Sequence, residues 1–149
     1  MEEQLVIFEL NNELYGLDVG HVQTIIPLQT IVEVPNTPSF MAGVVNLRGA
    51  VIPVVDLRIR FNLSHPEEEM KAVVIIATLD DMQVGLVVDK VTEVVKIEQE
   101  SIEPPSPLLV SVETAYLRGI GKLDERPIIL LDLAQIFSSD EQLALAQTA

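Results

Sequence analysis

The sequence contains no cysteine and no tryptophan. Without cysteine there is no disulfide, no thiolate nucleophile, no iron–sulfur ligation and no Cys-based zinc site. His21 and His65 are the only imidazoles. Aromatic residues make up 4% of the 149 residues although hydrophobic residues make up 48%, so a core must be built from Val, Ile and Leu, which suit a pleated β surface. Positive charge is scarce as well. Nine Lys and Arg face 23 Asp and Glu, a formal net charge of -14. Such a surface repels a phosphate backbone and an anionic membrane, which argues against nucleic acid as a partner and against direct membrane insertion. No stretch approaches the roughly 18 to 20 apolar residues of a membrane helix. Met1-Glu2-Glu3-Gln4 has neither the charge nor the apolar run of a signal peptide, so a cytoplasmic location is expected. At this length there is room for one domain, or for two very small units sharing a core.

What is present reads as short strands. Gln4 to Leu10 and Leu14 to Val19 flank Asn11-Asn12-Glu13 and predict a hairpin. Gly20 to Ile26 fits a helical turn as well as a strand. Thr37-Pro38 predicts a short helical turn through Met41, ended by Gly43. Val44 to Leu47 and Ala50 to Leu57 predict a second hairpin around Arg48-Gly49, with Pro53 assigning its strand to a sheet edge or a bulge. Ser64 to Glu69 is polar and marks an internal boundary. Ala72 to Leu79 and Val84 to Val88 flank Asp80-Asp81, and Thr92 to Ile97 continues in the same β-branched style. Pro104 to Pro107 is a stiff loop, and a strand pair surrounds Asp124-Glu125. Ser138-Ser139-Asp140-Glu141 has capping-box spacing and predicts a short C-terminal helix.

An internal repeat organises these pieces. Phe40 to Phe61 aligns with Tyr116 to Phe137 at a constant offset of 76, matching Gly43 with Gly119, Leu47 with Leu123, Asp56 with Asp132, Leu57 with Leu133 and Phe61 with Phe137. Tyr15-Gly16-Leu17-Asp18-Val19 resembles Val84-Gly85-Leu86-Val87-Val88 at an offset of 69. One unit of about five short strands is used twice, and neither half has enough residues for an independent core. The expectation is mainly β: one domain over 1–149 with sub-barrels at roughly 1–64 and 70–149, packed together, with strands exchanged between them as an open option. Barrel closure would remove exposed edges.

The catalytic inventory is thin. No G-x-S-x-G, P-loop or G-x-G-x-x-G motif occurs, and Gly119-Ile120-Gly121 is a fragment only, so no enzyme activity, cofactor or metal is expected. Asp56 and Asp132 end apolar runs at equivalent repeat positions. They are either a carboxylate pair, which with His21 would form a hydrolytic or ligand-binding site, or two helix caps produced by duplication. Arg48 is the first positive charge in the chain and falls in a predicted turn. Its guanidinium either makes a bidentate contact to a partner or pairs with an acid of its own chain. Val22, Ile25 and Ile26 belong either to the core or to a contact surface.

Taken in order, Phe8-Glu9-Leu10, Tyr15-Gly16-Leu17-Asp18-Val19, Pro35 to Phe40, Gly43-Val44-Val45-Asn46-Leu47-Arg48-Gly49, Ile52-Pro53-Val54-Val55-Asp56-Leu57-Arg58 and Val84 to Asp89 resemble the CheW-like domain family of chemotaxis adaptors along essentially the whole chain. The resemblance implies two intertwined five-stranded SH3-like β-barrels. It also implies a non-enzymatic scaffold that couples chemoreceptors to the histidine kinase CheA, recruited from the cytoplasm to membrane-associated arrays. A non-flagellar receptor–kinase pathway is the alternative setting. By similarity, Val22, Thr24 and Ile25 would meet the kinase's regulatory domain. Gly43, Asn46, Arg48, Gly49, Val87 and Val88 would lie at the contact with the receptor's cytoplasmic tip. Thr24 stands where some members carry an acidic residue.

Overall fold

The computed structural model describes residues 2–27, 31–35, 41–61, 73–79, 81–104, 116–137 and 141. Ten strands follow one another: β1 (Glu2–Leu10), β2 (Glu13–Asp18), β3 (Val22–Pro27), β4 (Met41–Leu47), β5 (Ala50–Asp56), β6 (Val73–Leu79), β7 (Met82–Val88), β8 (Lys90–Glu98), β9 (Leu117–Leu123) and β10 (Arg126–Leu131). Two one-turn helices, α1 (Leu57–Arg60) and α2 (Leu133–Ile136), follow β5 and β10. The undecided stretch from Gly20 splits. Val19–His21 is a 3-10 turn capped by Asp18, whose Oδ1 accepts the Gly20 N–H at 2.8 Å, and the rest is β3.

Three hairpins close with two residues in the left-handed region: Asn11 and Asn12 (φ 53° and 67°), Arg48 and Gly49 (54° and 87°), and Asp124 and Glu125 (49° and 68°). Positive φ at both central positions matches the right-handed twist of the flanking strands. Asn, Asp and Gly enter that region easily, whereas Arg48 and Glu125 hold it against a steric cost of about 1–2 kcal/mol.

The strands form two five-stranded sheets, ordered β8-β1-β2-β10-β9 and β3-β6-β7-β5-β4. Each sheet takes strands from both halves of the repeat, so the division at 1–64 and 70–149 marks the sequence duplication and not the sheets. Parallel ladders join the halves: Ile128 to Leu130 of β10 pair with Leu14 to Gly16 of β2, and Val54 to Asp56 of β5 pair with Gly85 to Val87 of β7. Neither sheet closes into a continuous ladder, because β8 and β9 end one and β3 and β4 end the other. Among the described residues β3 and β8 are left as edges, while Val32 and Glu103 each bridge to the outer side of β4 and β9.

The repeat reappears in detail. β4 and β9 coincide at the offset of 76, as do α1 and α2. The offset of 69 extends to β3 and β8, where Val22–Pro27 and Val91–Lys96 share one burial pattern. Apolar side chains point to both faces of most strands. Ile128 and Leu130 enter a small core within the first sheet, while Ile129 and Leu131 enter a large core shared by both sheets. In the second sheet, Val74 and Ile76 line the private core and Ile75 and Ala77 the shared one. Burial on both faces is why these runs read as continuous apolar stretches rather than clean alternations.

Two expectations need correction. Met41 and Gly43 are strand residues of β4, not a helical turn and its stop. The backbone of Val32 runs along β4, with both N–O distances to Val44 at 2.9 Å. A Cβ on Gly43, at φ 148°, would lie 2.3 Å from the Val32 carbonyl oxygen. Gly119 faces the Glu103 carbonyl in the same way at 2.6 Å, so close backbone approach explains the matched glycines. Pro53 does not mark an edge, since β5 lies between β7 and β4. Leu47 and Ala50 flank the tight turn, so alternation makes Val44 and Pro53 a non-hydrogen-bonded pair with the proline nitrogen directed away from β4. The parallel ladder to β7 begins one residue later, at Val54, and no donor is lost. The predicted turn at Thr37, the boundary at Ser64 to Glu69 with His65, and Pro105 to Pro107 lie outside the described residues. The C-terminal helix does too, except for Glu141, which is helical.

Candidate partner-binding cleft

Three sequence features converge on one end of the second sheet. β3 stands at its edge with β6 as its ladder partner, so among the described residues its outer backbone groups have no strand beside them. Thr24 and Ile25 are exposed on this edge, Ile25 to 41%, while Val22 is half-buried against the shared core. The β4–β5 hairpin projects beside it. The Asn46 side chain accepts the Gly49 N–H at 3.1 Å, bracing the turn that carries Arg48. From β7 comes Gln83, hydrogen-bonded through its side-chain amide to that of Gln23.

Together these elements line a cleft of about 480 Å³, formed by Gln23, Thr24, Ile26, Leu47, Arg48, Ala50, Ile52 and Gln83. Its floor is aliphatic and its rim carries two amides, a hydroxyl and one guanidinium. Among the described residues no carboxylate lines it, in a chain with 23 acidic residues. Among the described residues, the exposed Arg48 side chain makes no hydrogen bond or ion pair, unlike Arg58, Arg60 and Arg118. Thr24 of the expected kinase set and Arg48 of the expected receptor set meet in this one cleft. Gln23 and Gln83 were missed from sequence because their contact spans 60 residues and no local pattern announces it.

The remaining expected contacts are placed differently. Asn46 and Gly49 are exposed at the hairpin, whereas Gly43 is buried beneath Val32. Val87 is half-buried against the private core of the second sheet, and Val88, 1% exposed, belongs to the shared core. In this conformation Gly43 and Val88 shape the frame behind the surface and present no side chain to a partner.

The two repeated aspartates are caps. Asp56 Oδ1 accepts the Arg58 N–H at 2.9 Å, and Asp132 Oδ1 accepts the Ala134 N–H at 3.2 Å. Asp132 and His21 do share a second cleft of about 300 Å³ with Asp18, Arg118, Leu131 and Leu133. Asp56 is not part of it, so the trio required for a hydrolytic site does not assemble. Asp18 is engaged as a cap, and among the described residues no Ser or Thr lines this cleft to act as a nucleophile. Among the described residues no group of three or more His, Asp and Glu is arranged to hold a metal. No helix among them is long and apolar enough to cross a membrane.

Comparison with known proteins matches this architecture throughout. Residues 4–141 match the model of the CheW-like domain. The chain is 37% identical over 147 residues to the chemotaxis protein CheW of Klebsiella aerogenes, covering 99% of this chain and 89% of that protein. It is 31% identical over 147 residues to the chemotaxis protein CheW of Treponema pallidum, covering 96% and 86%. The crystal structure of the scaffolding protein TtCheW from Thermoanaerobacter tengcongensis superposes with a TM-score of 0.85 at 38% identity, over 95% of this chain and 91% of that one. With the family model matched over nearly the whole chain and these relatives covered almost end to end, the chain belongs to the CheW-like domain family.

Proposed function

We propose that this protein is a non-enzymatic adaptor of chemotaxis signalling that couples methyl-accepting chemoreceptors to the histidine kinase CheA. In this reading the kinase's regulatory domain docks on β3 through Val22, Thr24 and Ile25. The receptor's cytoplasmic tip meets the β4–β5 hairpin at Asn46, Arg48 and Gly49, with Val87 behind it and with Gly43 and Val88 fixing the backbone. The protein works in the cytoplasm and is recruited to membrane-associated receptor arrays. The observation that carries the reading is the exposed Arg48, unpaired among the described residues and held at positive φ on a braced hairpin beside an exposed β edge. A rigid frame with adjoining docking elements suits a molecule that fixes the relative geometry of two others and turns nothing over.

Pull-down with the separate partners tests this. The chain should retain both the kinase's regulatory domain and a receptor-tip fragment, and Ile25→Glu should lose the first while keeping the second. Retention of neither partner by the unmodified chain would reject the adaptor reading.

A further inference from the structure

We propose that the two sheets are fastened unequally, so that β3 with its Val32 bridge is an edge that opens on its own while β8 with its Glu103 bridge stays shut. The two edges are built alike. Ile25 and Val94 occupy equivalent places at the offset of 69, exposed to 41% and 56%. Beyond each edge strand an isoleucine, Ile31 or Ile102, packs against the small core of its own sheet. The residue after it exchanges two backbone hydrogen bonds with the opposite strand. Val32 does so with Val44 at 2.9 Å in both directions, and Glu103 with Ile120 at 2.9 and 2.8 Å.

What differs is the charge chemistry around them. Where β8 begins, the buried Asp89 donates its N–H to the Glu9 carbonyl at 3.0 Å, and its carboxylate accepts from the Arg58 guanidinium and the Asn11 N–H. Where β3 begins, the equivalent residues are Gly20 and Ala134, which have no charge to pair, and the turn Val19–His21 buries no residue. Within the first sheet, Arg118 of β9 also reaches Glu3 of β1 at 2.6 Å, with the Glu3 side chain 9% exposed. The equivalent sequence positions are Ala42 and Ala72. Among the described residues, β3 has instead the exposed bond from the Gln83 amide to that of Gln23, between neutral groups. Its ladder to β6 is shorter as well, from Val22 to Pro27 against Lys90 to Glu98 for β8 on β1. A bidentate pair with a further backbone bond meets the conditions under which burying two charges is repaid, so opening β8 forfeits it and opening β3 does not. An edge that opens at small cost offers its docking surface only in the closed fraction, so a partner bound at β3 holds it shut. That consequence rests on the adaptor reading, whereas the unequal fastening does not.

The test is hydrogen exchange of the full chain, followed residue by residue by NMR at a series of low urea concentrations, with the two bridges as matched reporters. After correction for intrinsic rates, the Val32 and Val44 amides should exchange at least about 10-fold faster than those of Glu103 and Ile120. Arg118→Met should raise exchange at Glu103 and Ile120 and leave Val32 and Val44 unchanged. Arg58→Met should raise it along β8, and Arg118→Met carries the test if that variant does not fold. Equal protection of the two bridges, or faster exchange at Glu103 and Ile120, overturns the proposal. So does an Arg118→Met variant that exchanges like the unmodified chain. Saturation with the kinase's regulatory domain should slow Val32 and Val44 and leave Glu103 and Ile120 as they were. Binding without that slowing overturns the closing of β3 by its partner. No binding at all counts against the adaptor reading, and the exchange ratio of the free chain still decides the fastening.

Discussion

Arg58 and Asp89 form a buried bidentate ion pair that ties the two halves of the repeat together. Arg58 Nε lies 2.7 Å from Asp89 Oδ1 and a second bond joins Arg58 Nη2 to Asp89 Oδ2, with both side chains 8% exposed. Asp89 Oδ2 also accepts the Asn11 N–H at 2.8 Å, so a single carboxylate clasps α1, the β1–β2 turn and the β7–β8 corner. The repeat does not duplicate the pair, because the positions equivalent to Arg58 and Asp89 are Ala134 and Gly20.

Removing one partner of this pair leaves the other charge buried. Arg58→Ala should therefore cost about 3–5 kcal/mol in urea unfolding, against about 0–1 kcal/mol for Arg48→Ala at the exposed hairpin. Equal losses in the two variants would contradict the distinction between a clasp and a contact residue.

A second clamp fastens the C-terminal segment. Arg60 Nε donates to the Ile136 carbonyl at 2.8 Å, its Nη1 and Nη2 reach Glu141 at 2.9 and 2.7 Å, and its guanidinium lies over the Tyr116 and Phe137 rings. Glu141→Ala should cost about 1–2 kcal/mol. Arg60→Ala should cost more, since it also loses the carbonyl bond and the ring contacts. Identical thermal shifts would show that the Glu141 bond is the only one of these that matters.

The Tyr15 phenol sits in the shared core, 0% exposed, stacked between Phe8 and Phe61 at centroid distances of 5.7 and 6.0 Å. Burial, with the Glu13 carboxylate beside it, pushes its ionisation well above the ordinary value of 10.0. The folded state thus keeps a proton that the unfolded chain gives up. The Tyr15 contribution is fully present below about pH 10 and declines as pH rises beyond it, by up to about 1.4 kcal/mol per pH unit. Urea unfolding at pH 9 and 11 should show a smaller alkaline loss in Tyr15→Phe than in the unmodified chain. Parallel losses would contradict this.

Gly43→Ala should cost about 1–3 kcal/mol, because the new methyl meets the Val32 carbonyl at β4. Amide exchange should report opening along the Val32–Val44 bridge. Unchanged protection there would mean that close approach is not the reason for glycine.

These cases also show what a one-dimensional reading of the chain can reach. The hairpins at Asn11-Asn12, Arg48-Gly49 and Asp124-Glu125 were legible because turn chemistry is local, and the Asp56 and Asp132 caps because duplication repeats a local role. Gly43 was misread as a stop, since its strand is defined by Val32, a tertiary neighbour reached through an irregular segment. Pro53 was misplaced because the absence of a donor matters only on the side where a ladder runs. Val88 and Val87 looked equivalent in a continuous apolar run, and only the two-faced burial of β7 separates core from half-exposed surface. The cleft itself lies between β3, β5 and β7, which no local spacing brings together.

The most direct test of the whole account is a titration of isotope-labelled protein with the kinase's regulatory domain, followed by addition of the receptor-tip fragment. The first partner should shift amides of Val22, Thr24 and Ile25, and the second those of Asn46, Arg48 and Gly49, with both partners held at once. Complete displacement of the kinase domain by the receptor fragment, or shifts that bypass β3 and the hairpin altogether, would contradict it.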